Sequence, residues 1–161
     1  MTTSVRPATP DDIPLILELI RALAAYELEP DAVKITAETL ARDLFGPNPP
    51  IHVLIAELDA KAAGFALYFF NYSTWTGRPG LYIEDLFVHP EVRGRGLGRK
   101  LFAHLAAIAQ SKNCGRFQWQ VLDWNEPSIR FYQHLGAEFQ NDWRNMRLPA
   151  DVVATLAEEA L

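Results

Sequence analysis

Two short stretches hold residues whose types and spacing could do chemistry. The first is Arg93-Gly94-Arg95-Gly96-Leu97-Gly98-Arg99. Glycines at every second position permit unusual backbone angles and let N–H groups approach a ligand, while the arginines add positive charge around the same point. An apolar periodicity begins at Leu97 and predicts a helix, whose unpaired N–H groups and dipole would face that point too. Together these features predict a phosphate or pyrophosphate site. The second stretch is Glu84-Asp85, two carboxylates inside the apolar run from Leu81 to Val88. Alternation along a strand sends neighbouring side chains to opposite faces, so at least one acid is expected to leave bulk water. That is costly unless the acid is paired or used.

Of two familiar phosphate motifs, one fails and the other matches poorly. A P-loop needs Gly-Lys-Ser/Thr, but Arg99 follows Gly98 and no hydroxyl residue follows Lys100 to hold magnesium. A dinucleotide fingerprint needs G-x-G-x-x-G and an acid about 20 residues later. Here the spacing is G-x-G-x-G, and position 118 is Gln.

The chain around these stretches has 161 residues, 49% hydrophobic and 22% charged, which predicts one globular domain over 1–161. A net charge of −5 argues against a nucleic-acid partner, and the acidic remainder suits a cationic substrate. Cys114 is the only cysteine, and His52, His89, His104 and His134 lack ligand spacing, so no metal is expected. The first residues carry no apolar signal core and no run reaches membrane-spanning length. A cytoplasmic protein with no membrane partner is the expectation.

The positioning elements follow from pattern. Ser4 to Arg6 is a short strand, and Thr9-Pro10-Asp11-Asp12 caps a helix that Ile13, Ile16, Leu17, Ile20 and Leu23 carry to about Tyr26. Glu27 then faces the negative end of the helix dipole, so it is not there for helix stability, and spacing leaves open both a solvated acid and a ligand role. Thr36 to Phe45 is a second helix. Strands are predicted at Ile51–Leu58, Ala62–Phe70 and Leu81–Val88, with a loop from Asn71 to Gly80. A helix from Leu97 to about Lys112 leads to a strand over Cys114–Leu122. A short helix capped by Asn125 ends at Gly136; Tyr132 lies on its Ile129 and Leu135 stripe, where spacing alone makes it a core aromatic. One or two last strands are expected through Phe139, Trp143 and Met146 to Leu148, before a terminal helix to Leu156. The order predicts a mixed-sheet α/β domain.

The loop Arg93-Gly94-Arg95-Gly96-Leu97-Gly98 resembles the Arg/Gln-x-x-Gly-x-Gly/Ala pyrophosphate loop of the GNAT superfamily of N-acetyltransferases. Over nearly the whole chain the sequence is similar to one branch, the spermidine/spermine N1-acetyltransferases (diamine acetyltransferases) and thialysine Nε-acetyltransferases. The stretches that carry this are Arg6-Pro7-Ala8-Thr9, Tyr26-Glu27, Tyr72-Ser73-Thr74-Trp75, Tyr82-Ile83-Glu84-Asp85 and Asp123-Trp124-Asn125-Glu126-Pro127-Ser128. The resemblance implies a single-domain GNAT fold, with flanking helices on a mixed, mostly antiparallel sheet of six to seven strands. It implies direct acetyl transfer from acetyl-CoA to a primary amine in a ternary complex, and a homodimer. Leu86, Phe87 and Val88 would bind the acetyl and pantetheine portion, and Gly94 to Arg99 the pyrophosphate, with Asn125 and Ser128 further along the cofactor. Tyr132 matches the catalytic tyrosine. Tyr26, Glu27, Glu84, Asp85 and the strand Gln118-Trp119-Gln120 correspond to substrate positions. The segment after Gly136-Ala137 is shorter than in the polyamine enzymes, where Asn141 or Asp142 stands nearest to an acidic position.

An alkyl amine of pKa about 10.4 is neutral in only about one molecule in 2,500 at pH 7, so such an enzyme must remove a proton before attack. On this reading Glu84 and Glu27 attract the cation, Glu84 accepts the proton, directly or through water, and Tyr132 gives a proton to the departing thiolate. Backbone N–H groups at Leu86 to Val88 would polarise the carbonyl. Two other functions fit the same residues: acetylation of a protein lysine or N-terminus, and acetyl-CoA binding without catalysis.

Overall fold

In the computed structural model, which describes residues 1–160, the chain forms two compact units, Met1–Asn125 and the part from Glu126 onward. The first unit holds β1 (Thr3–Pro7), α1 (Ile13–Tyr26), α2 (Ala37–Phe45), β2 (His52–Leu58), β3 (Lys61–Ser73), β4 (Arg78–Val88), α3 (Leu97–Ser111) and β5 (Arg116–Trp119). The five strands lie in sequence order, antiparallel from β1 to β4, with β5 parallel to β4. The helix between β4 and β5 makes that last pairing parallel, since a strand that follows a crossover returns in the same direction.

Alternation sorts the side chains onto two faces. Val53, Ile55, Phe65, Leu67 and Phe87 point to one face and pack with Ile16, Leu19, Leu23, Leu40 and Leu44 of α1 and α2. The opposite face carries Leu54, Ala56, Tyr68, Leu81 and Ile83, and α3 covers it with Leu97, Leu101, Phe102 and Leu105 buried. Phe117 and Trp119 of β5 join this second layer, with the Phe102 ring 5.6 Å from Phe117 and 4.9 Å from Trp119.

One ionic knot ties the first strand to the first helix. Arg6 on β1 donates to both carboxylate oxygens of Asp12, at 2.7 and 2.9 Å, and through Nε to Glu57 on β2 at 2.7 Å. Asp12 also accepts the backbone N–H of Thr9 at 2.8 Å, which satisfies one of the donors at the start of the 3-10 turn Pro10–Asp12 leading into α1. These donors hold the Asp12 carboxyl down at a pKa of about 2, with the Arg6 hydrogen bonds the largest cause.

Four expectations change. The sheet has five strands among the described residues and not six to seven. The predicted last strand is interrupted by a turn over Gln140-Asn141-Asp142-Trp143, closed by the Trp143 N–H on the Gln140 carbonyl. No strand is assigned from Phe139 to Leu148, where Phe139, Met146 and Leu148 are exposed. The loop predicted over 71–80 shrinks to 74–77, because β3 and β4 continue to pair through Ser73↔Arg78. Gly80 serves close packing here, since a Cβ on it would meet Asn71 Oδ1 at 2.3 Å. The predicted strand over Cys114–Leu122 is shorter, at Arg116–Trp119. In the second unit, α4 (Glu126–His134) and α5 (Ala150–Glu158) match the two predicted helices.

The depressed pKa of Asp12 has a pH consequence of definite sign. A carboxyl at about 2 in the folded state and near its ordinary value when unfolded stabilises the fold fully at neutral pH, and that stability is lost as pH falls through about 2. Asp12→Asn is expected to lower the unfolding free energy by about 2 kcal/mol at pH 7 and by about half as much at pH 3, measured by urea denaturation. An equal deficit at both pH values would contradict the ion-pair account.

Candidate active site

Strand β4 is the backbone of the site. It pairs with β3 as far as Val88, but with β5 only over Gly80↔Arg116 to Ile83↔Trp119. Beyond Ile83, the edge of β4 that faced β5 has no ladder partner; the Val88 carbonyl on it accepts from Arg93, and the other N–H and C=O groups that point this way from Glu84 to Val88 are open to a ligand. The β3–β4 register shifts at this point. Leu67 opposes Asp85 and Tyr68 opposes Ile83, which leaves Glu84 as the extra residue of a bulge.

The bulge changes which acids share a face. Unbroken alternation from Tyr82 would turn Asp85 toward α3. The extra residue instead places Asp85 opposite Leu67, on the α1 face with Phe87 and, one step before the bulge, Tyr82. Of the two adjacent acids one leaves bulk water, as expected, and the bulge decides that it is Asp85. Glu84 stays exposed, and its charge acts on both Tyr82 and Asp85.

Glu27 reaches this face from the end of α1. The helix is stopped by Leu28 in a left-handed conformation, φ 64°, while the Glu29 N–H closes onto the Ala24 carbonyl at 2.8 Å. Glu27 is half-buried, and burial raises its pKa. Asp85 is pushed up to about 6, by burial first and then by the charges of Glu84 and Glu27. Asp85 thus feels the charges of both Glu84 and Glu27 beside the open edge of β4, a field that favours a cation.

Tyr26, the last residue of α1, is held from three sides. Its ring lies 4.5 Å from the Arg93 guanidinium and 6.5 Å from the Phe87 ring, and its hydroxyl donates to Asn125 Oδ1 at 3.3 Å. Arg93 Nε also donates to the Val88 carbonyl at 2.9 Å. Arg93 therefore braces the end of β4 against α1, and is not the mobile charge that composition suggests. Lys100 is engaged as well, with its ammonium on the carbonyl and hydroxyl of Thr3. Arg95 and Arg99 remain exposed at the loop.

The loop itself fits an anion. Gly94 and Gly96 have φ of 78° and 81°, and no atom lies within 4 Å of a Cβ built on either, so the backbone is open to an approaching ligand. Gly96 caps α3, whose first helical hydrogen bond runs from the Lys100 N–H to the Gly96 carbonyl. The N–H groups before it point out of the helix end. Gly98, by contrast, lies inside α3.

The first unit thus brings together Tyr26, Glu27, Glu84, Asp85, Leu86 to Val88, the 93–99 loop and Asn125. On β5, Gln118 pairs with Tyr82 and shares its face, whereas Trp119 is turned into the α3 layer and Gln120 follows the strand. Ser128 and Tyr132 lie on α4 in the second unit, both half-buried. Sequence reasoning named Tyr82 only within the Tyr82-Ile83-Glu84-Asp85 stretch and gave neither it nor Phe69 a site role, yet their rings sit 5.3 Å apart on the α1 face just before the bulge. Their signal was the aromatic pattern, but only the pairing register shows that they share a face with Asp85. No group of histidine, cysteine and carboxylate side chains suited to a metal occurs among the described residues.

The chain is similar to known proteins in sequence and in fold. The family described as "Acetyltransferase (GNAT) family" matches residues 17–137. A thialysine N-epsilon-acetyltransferase of Sus scrofa is 40% identical, covering 95% of this chain and 96% of its own. An L-ornithine N5-acetyltransferase of Arabidopsis thaliana is 28% identical, over 97% of this chain and 88% of its own. Among solved structures, an integron cassette protein from the mobile metagenome of V. cholerae superposes with a TM-score of 0.79 at 26% identity, covering 98% of this chain and 99% of that one.

The two left-handed glycines and the helical one should differ on substitution. Gly96→Ala puts a Cβ in a left-handed conformation at a cost of about 1–2 kcal/mol. It is expected to weaken coenzyme A binding about tenfold by calorimetry, while Gly98→Ala, whose backbone is helical, changes it by less than about twofold. Equal effects at both positions would contradict the assigned cradle.

Proposed function

Since this chain belongs to the GNAT acetyltransferase family and is an acetyl-CoA-dependent amine N-acetyltransferase, we propose that residues 1–161 act as one catalytic domain whose acceptor is a small cationic primary amine. An amino acid of the thialysine type is the first candidate, and diamines and polyamines come next. The observation that carries this reading is the gathering of Glu27, Glu84 and Asp85 beside the open edge of β4. Support for one domain comes from the family match, which runs without a break through residue 125. Both relatives named above take amino acids with a second amine by their descriptions.

The residues present fit acetyl-CoA. The cradle at Gly94 and Gly96 and the start of α3 would hold the pyrophosphate, with Arg95 and Arg99 adding charge. The unpaired edge at Leu86 to Val88 would bind the pantetheine amides as a strand binds a partner strand. Asn125 and Ser128 complete the proposed cofactor set, and Gln118 to Gln120 with Tyr26 the acceptor set. Acetyl-CoA supplies the activated thioester carbonyl. On the protein side, the acids draw in the ammonium and take up its proton, which frees the nitrogen lone pair for attack. N–H groups of the β4 edge stabilise the charge that develops on the carbonyl oxygen. The Tyr132 phenol gives its proton to sulfur as the C–S bond breaks.

The proposal extends to assembly and setting. A homodimer is supported by the exposed apolar residues Val152, Val153 and Leu156 on α5, together with Phe139, Met146 and Leu148. A cytoplasmic setting is part of the proposal; among the described residues no helix is long and apolar enough to cross a membrane.

Turnover of acetyl-CoA with thialysine, ornithine, lysine, putrescine, spermidine and spermine, followed by thiol release, tests the reading. Thialysine or another small amine should react, and Tyr132→Phe should lower kcat about 100-fold with the acetyl-CoA KM little changed. No reaction with any amine despite coenzyme A binding would overturn the acceptor assignment, and a Tyr132→Phe enzyme with undiminished kcat would overturn the acid.

A further inference from the structure

The glycine loop has little packed against it. Arg93, Gly94, Arg95 and Gly96 are all exposed, and no atom lies within 4 Å of a Cβ built on either left-handed glycine. Such a loop has few contacts of its own to fix it, so its position is set at its two ends. Arg93 braces the first end, through the Val88 carbonyl and the Tyr26 ring. The second end is the first turn of α3, and there the residue that reaches across to the sheet is Lys100.

Lys100 stands where it does not help the helix. The first turn of α3 holds Arg99 and Lys100 and no acid, although a cation near a helix N-terminus opposes the dipole. Arg99 is exposed beside the cradle, where a phosphate would offset that cost. Lys100 is half-buried instead, and its ammonium donates to the carbonyl and to the hydroxyl of Thr3, the latter at 3.3 Å, 97 residues away in the chain. Thr3 is a fixed point. It pairs with Leu58, and Thr2 before it is locked to the β2–β3 turn: the Thr2 N–H donates to Asp59 Oδ1 at 2.7 Å, and the Asp59 N–H to the Thr2 carbonyl at 2.8 Å. That turn is itself tight, with Asp59 and Ala60 both left-handed at φ of 50° and 62°. Arg95, inside the loop, meets the same N-terminal segment at the Met1 sulfur.

Burial of Leu97 and Leu101 already seats α3 on the sheet, but apolar contact is non-directional and leaves the first turn able to shift or rotate. A directed bond to a fixed point removes that freedom. We propose that Lys100 is a positioning residue for the cofactor's phosphates: by tying the first turn of α3 to Thr3 of β1, it holds the N–H groups of residues 94–99 in their binding arrangement before the cofactor arrives. The inference rests on the acetyl-CoA reading above. Lys100 acts through the helix start and not by touching the cofactor, so its loss is felt as lost preorganisation and weaker binding.

Coenzyme A affinity by calorimetry, steady-state kinetics and amide exchange of the free protein test this on Lys100→Met, Lys100→Arg and Thr3→Val. Lys100→Met keeps an aliphatic stem and loses the ammonium. It should raise the coenzyme A Kd about fivefold, with kcat at saturating acetyl-CoA and the amine KM within about twofold of wild type. Its exchange should quicken at residues 94–101 and stay as in wild type over 104–111. Lys100→Arg, which keeps a donor, should return the Kd to within about twofold of wild type. Thr3→Val removes one of the two acceptors, so it should raise the Kd about twofold alone and not at all in the Lys100→Met background. Wild-type affinity in Lys100→Met overturns the inference. So does exchange that quickens equally along all of α3, which marks general destabilisation. Thr3→Val binding tighter than wild type overturns it as well, since Lys100 would then be a direct phosphate ligand held back by Thr3. A wild type that binds no coenzyme A overturns the cofactor reading itself.

Discussion

Strand β4 is hydrogen-bonded to β3 along its length, but to β5 only as far as Ile83. Backbone groups left unpaired inside a sheet are costly unless something else satisfies them, so the free edge from Glu84 to Val88 is a standing demand for a partner. Most of the site follows from where that edge begins. The Glu84 bulge sits at the same step, so the position at which the strands part is also the position at which a second acid is turned onto the α1 face. Arg93 reaches back from the following loop to the Val88 carbonyl and lies over Tyr26, which fixes the far end of the edge to α1.

Charge is distributed along this one strand and loop with little mixing. Acids gather at the bulge and at the end of α1, while exposed arginines and open glycine backbone gather about ten residues later, at the start of α3. One ligand binding along the edge would therefore place its anionic part at the loop and its reactive part beside the acids. The acids cost stability, because Asp85 and Glu27 are held above their ordinary pKa values. Elsewhere the fold keeps its acids low, as at Asp12, where Arg6 meets both carboxylate oxygens. Strain set aside at a site and compensated at its periphery is the pattern expected of a catalytic centre.

Much of this was legible in the sequence, for identifiable reasons. Helix α1 announces itself through Thr9, Pro10 and Asp12 and a long apolar stripe, and the glycine-arginine loop through composition at fixed spacing, because both are local signals. What sequence could not show depends on pairing. Bulges belong to two strands at once, so alternation alone could not say which of the two acids turns inward. Pro79 and Gly80 read as loop, yet lie in β4 opposite Tyr72 and Asn71. Phe139 to Leu148 carries apolar residues but is not assigned as strand, because a turn at Gln140–Trp143 bends it. The bracing role of Arg93 was not legible because its cation–π contact with Tyr26, 67 residues away in the chain, leaves no local trace.

The central claim is that the unpaired edge of β4 is the cofactor's binding strand, with the glycine loop as its phosphate end. Amide hydrogen exchange with and without acetyl-CoA tests it most directly. Protection concentrated at Leu86 to Val88 and Gly94 to Arg99, with β1 and β2 unchanged, is the result this account predicts. Binding that leaves the β4 edge exchanging as freely as before would contradict it.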